Sequence, residues 1–508
     1  MSSKTSYYLL LLLSLLTFIF LMISSSVKPY GFFIDEVYFI ACSRRLAFGY
    51  VDQPPLSITL LSLVRYFGGD NIFAIRVLPA ISVAATVFMT GLLTRKLGGG
   101  IISMLIAALA VIIMPILLIF GSFYSMNAYE PLILVSVVFF LIKMVGEEKP
   151  QYWLHVGVLS GIGLMMKHTF ILYGVALVIG LLISDKRKLL FNRWILLGGM
   201  ACFIIILPNL IWQYVHDFPS LELYRNSFTS KNIEKSYLQV ILEQILFVNP
   251  ATFPLWLFGL ISLIFPKAKT YRFMLFTYLF LLLVLVSGRS SRPDRIASVY
   301  TFFVAAGAVA IETYLRTGLR RVVQISVIII MLAIGILLAP VFCPLMPPKA
   351  LKTYISRLGL KIDIEEGKMG EPIPQWLADR IGWHELAAEV AKVYHALPAG
   401  EQRNCVIVSD DYGTGGALEL YAGEFGLPPV FATHNSFHSW GPPSDTVKTY
   451  IGVSIDAEGT RELFDTMEKA DVVYCADCTR PQREIEIYVM RGPRISIEKE
   501  WERFKEYH

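Results

Sequence analysis

The stretch Gly31 to Leu56, GFFIDEVYFIACSRRLAFGYVDQPPL, directly follows the first long apolar run of the chain. It sets two adjacent carboxylates, Asp35 and Glu36, about two helical turns past the end of that run. An aromatic segment, a Gly49-Tyr50 turn, a third carboxylate at Asp52 and a Pro54-Pro55 stop come next. Charge held against lipid is costly, so an acidic pair just outside a membrane helix usually has a task. A solvated acidic loop accounts for Asp35 and Glu36 taken alone. It accounts poorly for Phe32, Phe33, Ile34, Val37, Tyr38 and Phe39 packed around them, which would bury much of the segment.

Across the 508 residues, 55% are hydrophobic and 17% charged. Ordinary soluble domains are nearer one-quarter charged. Apolar runs of spanning length recur up to about residue 343 and then stop. The expected fold is a polytopic α-helical membrane protein of about 11 transmembrane helices with a C-terminal soluble α/β domain. The division falls between residues 1–343 and 344–508. A formal charge of +5 is too small to suggest nucleic acid as a partner.

The first run, Tyr7 to Val27, is longer than the ~7–15 residues of a signal-peptide core, and further spans follow, so it reads as an uncleaved helix with a cytoplasmic N-terminus. Spans are expected at about 7–27, 72–94, 101–120, 127–142, 153–167, 168–184, 194–212, 250–266, 273–287, 296–314 and 322–342. An odd count leaves the C-terminus outside. Roughly 15 Lys/Arg then fall in about 50 inside loop residues, against roughly 11 in about 100 outside, the sense that membrane orientation requires. Three outside segments stand apart. Residues 28–71 carry the opening motif and an interfacial helix from Leu56 to Tyr66. Residues 213–249 end in an amphipathic stretch, Tyr237 to Phe247. SGRSSRPDR (Ser287 to Arg295) sets Arg289, Arg292 and Arg295 on the side that normally has few cations, which asks for an anionic partner or for lipid headgroups.

Beyond Pro344 the pattern alternates. Helices are expected over Gly382–Leu397, Ala417–Phe425 and Arg461–Lys469. Strands are expected at Cys405–Ser409, Val430, Thr449–Ser454 and Asp471–Cys475, with Asp410–Gly416 (DDYGTGG) as a turn. That turn lacks the spacing and the lysine of a P-loop. Cys475 and Cys478 form a CxxC with no second pair, which argues against zinc and leaves a disulfide or two free thiols.

Further residues can carry chemistry. Glu130 and Asn127 lie in FYSMNAYEPL (Phe123 to Leu132), a second outside turn. Lys167, with His168 beside it, sits at the outer end of an apolar helix, where it is either snorkelling to the surface or a phosphate ligand. Two acidic sites on one side of the membrane make a plausible reaction centre. The charges call for no cofactor, although a divalent cation is compatible with them.

These motifs together resemble the C-type membrane glycosyltransferases, in particular bacterial members related to protein O-mannosyltransferases and to the aminoarabinose transferase of lipid A. The acidic pair with Gly-Tyr and Pro-Pro looks like the family's first outer loop. FYSMNAYEPL looks like its second, with Asn127 where Asp is frequent. GIGLMMKHT (Gly161 to Thr169), the RPDR segment and DYGTGGALELY…GLPPVFATHNSFHSWGPP (Asp411 to Pro443) also fit. The resemblance implies inverting transfer of a sugar from a polyprenyl-phosphate donor to a hydroxyl on a lipid, glycan or protein, at the outer face of a bacterial inner membrane. It implies Asp35 as general base supported by Glu36, Glu130 and Asn127 placing the acceptor or a cation, and Lys167, His168, Arg289, Arg292 and Arg295 on the donor phosphate. The soluble domain is expected to stay out of the transfer step. A transporter or lipid flippase is the rival reading; such folds tend to show inverted repeats and mid-membrane charges, and neither is evident here.

Overall fold

The computed structural model describes residues 3–230, 235–288, 293–360 and 373–507. Arg289 and Arg292 lie outside the described residues. The chain forms two compact units. The first comprises Met1–Val27, Ile75–Ile211 and Ile233–Met346; the second comprises Lys28–Ala74, Trp212–Asn232 and Pro347–His508. The loop that follows the first helix therefore folds with the C-terminal domain.

The first unit is helical because its runs are apolar and lipid leaves the backbone no other way to satisfy its hydrogen bonds. Among the described residues, six helices are long and apolar enough to cross a membrane: Lys4–Ser24, Ile72–Lys96, Met126–Glu147, Arg193–Val215, Asp294–Tyr314 and Thr317–Phe342. Tyr152–Met166, His168–Ile183 and Phe273–Ser287 are shorter apolar helices. Two further apolar helix pairs are sharply bent where they meet. Ile101–Ile112 and Pro115–Gly121 meet at 61°, and Tyr237–Val248 and Pro250–Ser262 meet at 92°. The stretch from Tyr237 is thus the first limb of a bent pair, where a separate amphipathic loop segment was expected. Both breaks precede a proline, which removes a backbone donor and bars its predecessor from helix. The second break satisfies a loose end of the first: Asn249 Nδ2 donates to the Ile113 carbonyl at 2.9 Å. Close packing elsewhere depends on glycine. A Cβ at Gly259 would lie 2.2 Å from the Phe303 carbonyl oxygen, and one at Gly307 would lie 2.0 Å from that of Leu255. Small residues of this kind let membrane helices approach backbone to backbone.

The second unit is built on five strands: β1 (Cys405–Ser409), β2 (Val430–Ala432), β3 (Thr449–Val453), β4 (Phe464–Tyr474) and β5 (Glu484–Pro493). Their order is β2-β1-β3-β5-β4. β1 pairs in parallel with β2 and β3, and β5 runs antiparallel to β3 and β4. Val406, Tyr450, Met490 and Trp501 centre its core. Two expectations are corrected here. The helix over Arg461–Lys469 and the strand at Asp471–Cys475 are one edge strand, β4, mostly exposed. Its Met, Glu, Lys and Ala favour helix, but pairing with β5 overrides that preference. The turn at DDYGTGG is short, because a helix already begins at Tyr412 and runs to Phe425, with the Asp411 carboxylate accepting from the Thr414 N–H at 2.6 Å. Cys475 and Cys478 are joined as a disulfide. The helix expected at the interface, Leu56 to Tyr66, spans Pro55–Gly68 and leaves Leu63, Tyr66 and Phe67 exposed.

Candidate active site

In the second unit the acidic pair opens a helix, Ile34–Ser43. Asp35 and Glu36 occupy its first turn, where carboxylates complement the loose N–H groups and the helix dipole. Their environments differ. Glu36 is fully buried, and its Oε2 accepts from the Phe33 N–H at 2.7 Å, the reach-back contact that caps a helix start. Asp35 is half-buried, and its Oδ1 accepts from the Tyr412 hydroxyl at 3.1 Å. The third carboxylate, Asp52, accepts from the buried Tyr38 hydroxyl at 2.7 Å, and that hydroxyl accepts from the Ser436 N–H at 3.2 Å. Burial first, and then the negative charge of Asp52, raise the Tyr38 phenol well above its ordinary value, so it stays a neutral donor.

The helix Tyr412–Phe425 holds the acidic helix in place through its glycines. A Cβ at Gly413 would meet Ile34 Cγ1 at 2.3 Å, and one at Gly416 would meet the backbone N of Tyr38 at 2.8 Å. The glycines of DYGTGG therefore serve helix packing. Around the carboxyl ends of β1 and β2 lie more acids. Burial raises the Asp410 carboxyl. Burial, with Asp410 and Asp411 adding to it, pushes Glu506 up to about 6. Among the described residues no group of three or more His, Cys, Asp or Glu side chains is arranged to hold a metal ion.

In the first unit a second cluster forms around Glu130, which opens the helix Glu130–Glu147. Its Oε2 pairs with Lys167 Nζ at 3.1 Å, with the two side chains 5% and 12% exposed. Its Oε1 accepts from Ser298 Oγ at 2.8 Å and lies 3.0 Å from the Tyr173 hydroxyl, which is also 3.0 Å from the Arg295 carbonyl oxygen. Lys167 is thus an ion-pair partner within the protein, neither reaching along apolar surface to water nor standing alone. His168 turns elsewhere: its Nε2 lies 2.9 Å from Asn209 Oδ1. Asn127 Oδ1 is buried with no hydrogen-bond partner among the described residues. Arg295 contributes its backbone oxygen to the cluster and keeps its side chain at an exposed position. Sequence patterns did not single out Tyr173 or Ser298, since a lone tyrosine or serine on an apolar helix carries no signal. Tyr412 lay inside a quoted motif but was read only as part of a turn.

The chain is an integral membrane protein, and it shares its fold with a solved membrane protein. It matches, at a TM-score of 0.61 and 13% identity, the crystal structure of ArnT from Cupriavidus metallidurans bound to undecaprenyl phosphate, over 96% of this chain and 98% of that one. The apo state of the same protein matches at 0.60 and 13%. A family model described as dolichyl-phosphate-mannose-protein mannosyltransferase matches residues 52–212. Among curated proteins, the undecaprenyl phosphate-alpha-4-amino-4-deoxy-L-arabinose arabinosyl transferase 1 of Pseudomonas fluorescens (strain Pf0-1) is 24% identical over 193 residues. That match spans 37% of this chain and about a third (33%) of the length of that relative.

Proposed function

We propose that the chain is a membrane glycosyltransferase that moves a sugar from a polyprenyl-phosphate donor to an acceptor hydroxyl on a lipid, glycan or protein. The observation that carries this is the contrast within the acidic pair. Glu36 is buried and committed to a backbone N–H, whereas Asp35 is accessible and held by a tyrosine hydroxyl, in a fold shared with ArnT. Asp35 takes the proton from the acceptor hydroxyl as that oxygen attacks the anomeric carbon. The polyprenyl phosphate leaves from the opposite face, so the anomeric centre inverts. Glu36 fixes the helix turn that presents Asp35. Glu130 and Asn127 place the acceptor or a cation. Lys167, His168 and the arginines 289, 292 and 295 meet the charge that develops on the leaving phosphate, the kind of prepositioned stabilisation that lowers such barriers.

Reaction at the outer face of a bacterial inner membrane completes the reading. The loop charges support that orientation, as does the Cys475–Cys478 disulfide, since disulfides persist in oxidising compartments. A reporter active only in the cytoplasm, fused after His508, should be silent; strong activity would put the second unit on the wrong side for this chemistry. Purified protein in vesicles, given radiolabelled undecaprenyl-phosphate sugars and envelope lipids or glycans as acceptors, should label an acceptor. Flux of an intact lipid or solute across sealed vesicles without any transfer would support a transporter instead.

A further inference from the structure

We propose that Tyr412, in the C-terminal part of the chain, is a positioning residue for Asp35, which makes the soluble domain a working part of the transfer site. This rests on Asp35 being the base. The hydroxyl of Tyr412 lies 3.1 Å from Asp35 Oδ1, within hydrogen-bond distance. The phenol is not placed by chance. Its ring packs between Tyr38, at 5.1 Å between centroids, and His434, at 4.9 Å. Tyr38 is itself pinned by Asp52 and by the Ser436 N–H. His434 sits at the carboxyl end of β2, bridged to Glu506. The helix that carries Tyr412 is held in register, because the Ile34 side chain fills the space beside Gly413 and the backbone of Val37 and Tyr38 fills that beside Gly416.

A base delivers its proton acceptor only if the carboxylate is held in one orientation and kept ionised. A hydrogen bond to one oxygen contributes to both. Glu36 cannot serve in this way, since its own Oε2 is engaged at the helix start. Titratable groups near the contact include Glu36 on the same helix, Tyr38, Asp411 next to Tyr412 in sequence, and His434 behind it, bridged to Glu506.

Tyr412→Phe keeps the packed ring and removes the donor. The full-length protein would be reacted with a water-soluble carbodiimide and an amine across a pH series, with modification of the Asp35 peptide read by mass spectrometry. Only the protonated carboxyl reacts. Losing a donor that favours the carboxylate should move the Asp35 midpoint upward by about half to one pH unit. Tyr421→Phe, the same chemical change on the same helix, should leave it unmoved. In the transfer assay, Tyr412→Phe should lower kcat roughly tenfold with donor KM nearly unchanged. A parental Asp35 midpoint in folded Tyr412→Phe protein overturns the proposal, as does an equal shift in Tyr421→Phe. The labelling needs no substrate, so it separates the two ideas. A shifted midpoint in a protein whose Asp35→Asn variant still transfers sugar would sink the assignment of the base and leave the contact standing.

Discussion

Asp35→Asn is expected to cut turnover by roughly 10²–10⁴-fold, the usual contribution of a positioned general base, with fold and donor affinity close to the parent. An alcohol is a weak nucleophile at neutral pH, and the amide keeps the size of the carboxyl but cannot take the proton. Glu36→Gln should act by another route. Glu36 is buried and caps the helix start, so its loss should appear mainly as lower stability, with a smaller effect on kcat. Steady-state transfer rates for both variants, paired with thermal unfolding, read the two effects apart. Parental rates in both would remove the acidic pair from the chemistry.

The second large effect concerns Glu130 and Lys167. Breaking a buried ion pair by removing one partner leaves an uncompensated charge, at a cost of about 3–5 kcal/mol. Glu130→Gln and Lys167→Ala should each therefore lower the unfolding midpoint of the detergent-solubilised protein markedly. Glu130→Leu combined with Lys167→Met should recover much of that loss, because the apolar pair leaves nothing unpaired. Under the proposed function Lys167→Ala should also weaken binding of undecaprenyl phosphate; parental binding in a destabilised variant would confine the lysine to its pair with Glu130. Ser298 and Tyr173 also hold Glu130, so their Ala and Phe variants should show smaller losses of the same kind.

Much of the membrane part was legible because lipid imposes a simple rule: every expected span falls on helix. The bends were not legible from hydropathy, which counts apolar residues and ignores a missing N–H. Met114-Pro115 and Asn249-Pro250 held that signal in plain sight. Within the soluble part, short buried strands such as Cys405–Ser409 stood out, as their apolar runs have no other use. β4 did not, because an edge strand facing water carries charges and its identity comes from a partner, β5, that local sequence does not reveal. The site was legible in its charges and illegible in its contacts. Asp35, Glu36, Glu130 and Lys167 could be picked out as costly residues near lipid. Nothing local said that Glu130 would pair with Lys167, or that Tyr412 would reach Asp35.

That last contact has a consequence for the birth of the protein. Asp35 and Tyr412 are 377 residues apart in sequence. At ~5–20 residues per second of synthesis, the acidic helix emerges about 20–75 seconds before the helix against which it packs. Through that interval the ribosome is still delivering spans, and the loop that follows the first helix has no glycine face to rest on. The second unit can close only when the last third of the chain has arrived. A stop codon between the final span and Tyr412 would therefore leave a membrane bundle whose acidic helix had lost its support, so a truncated product would carry the acidic pair without the helix it packs against.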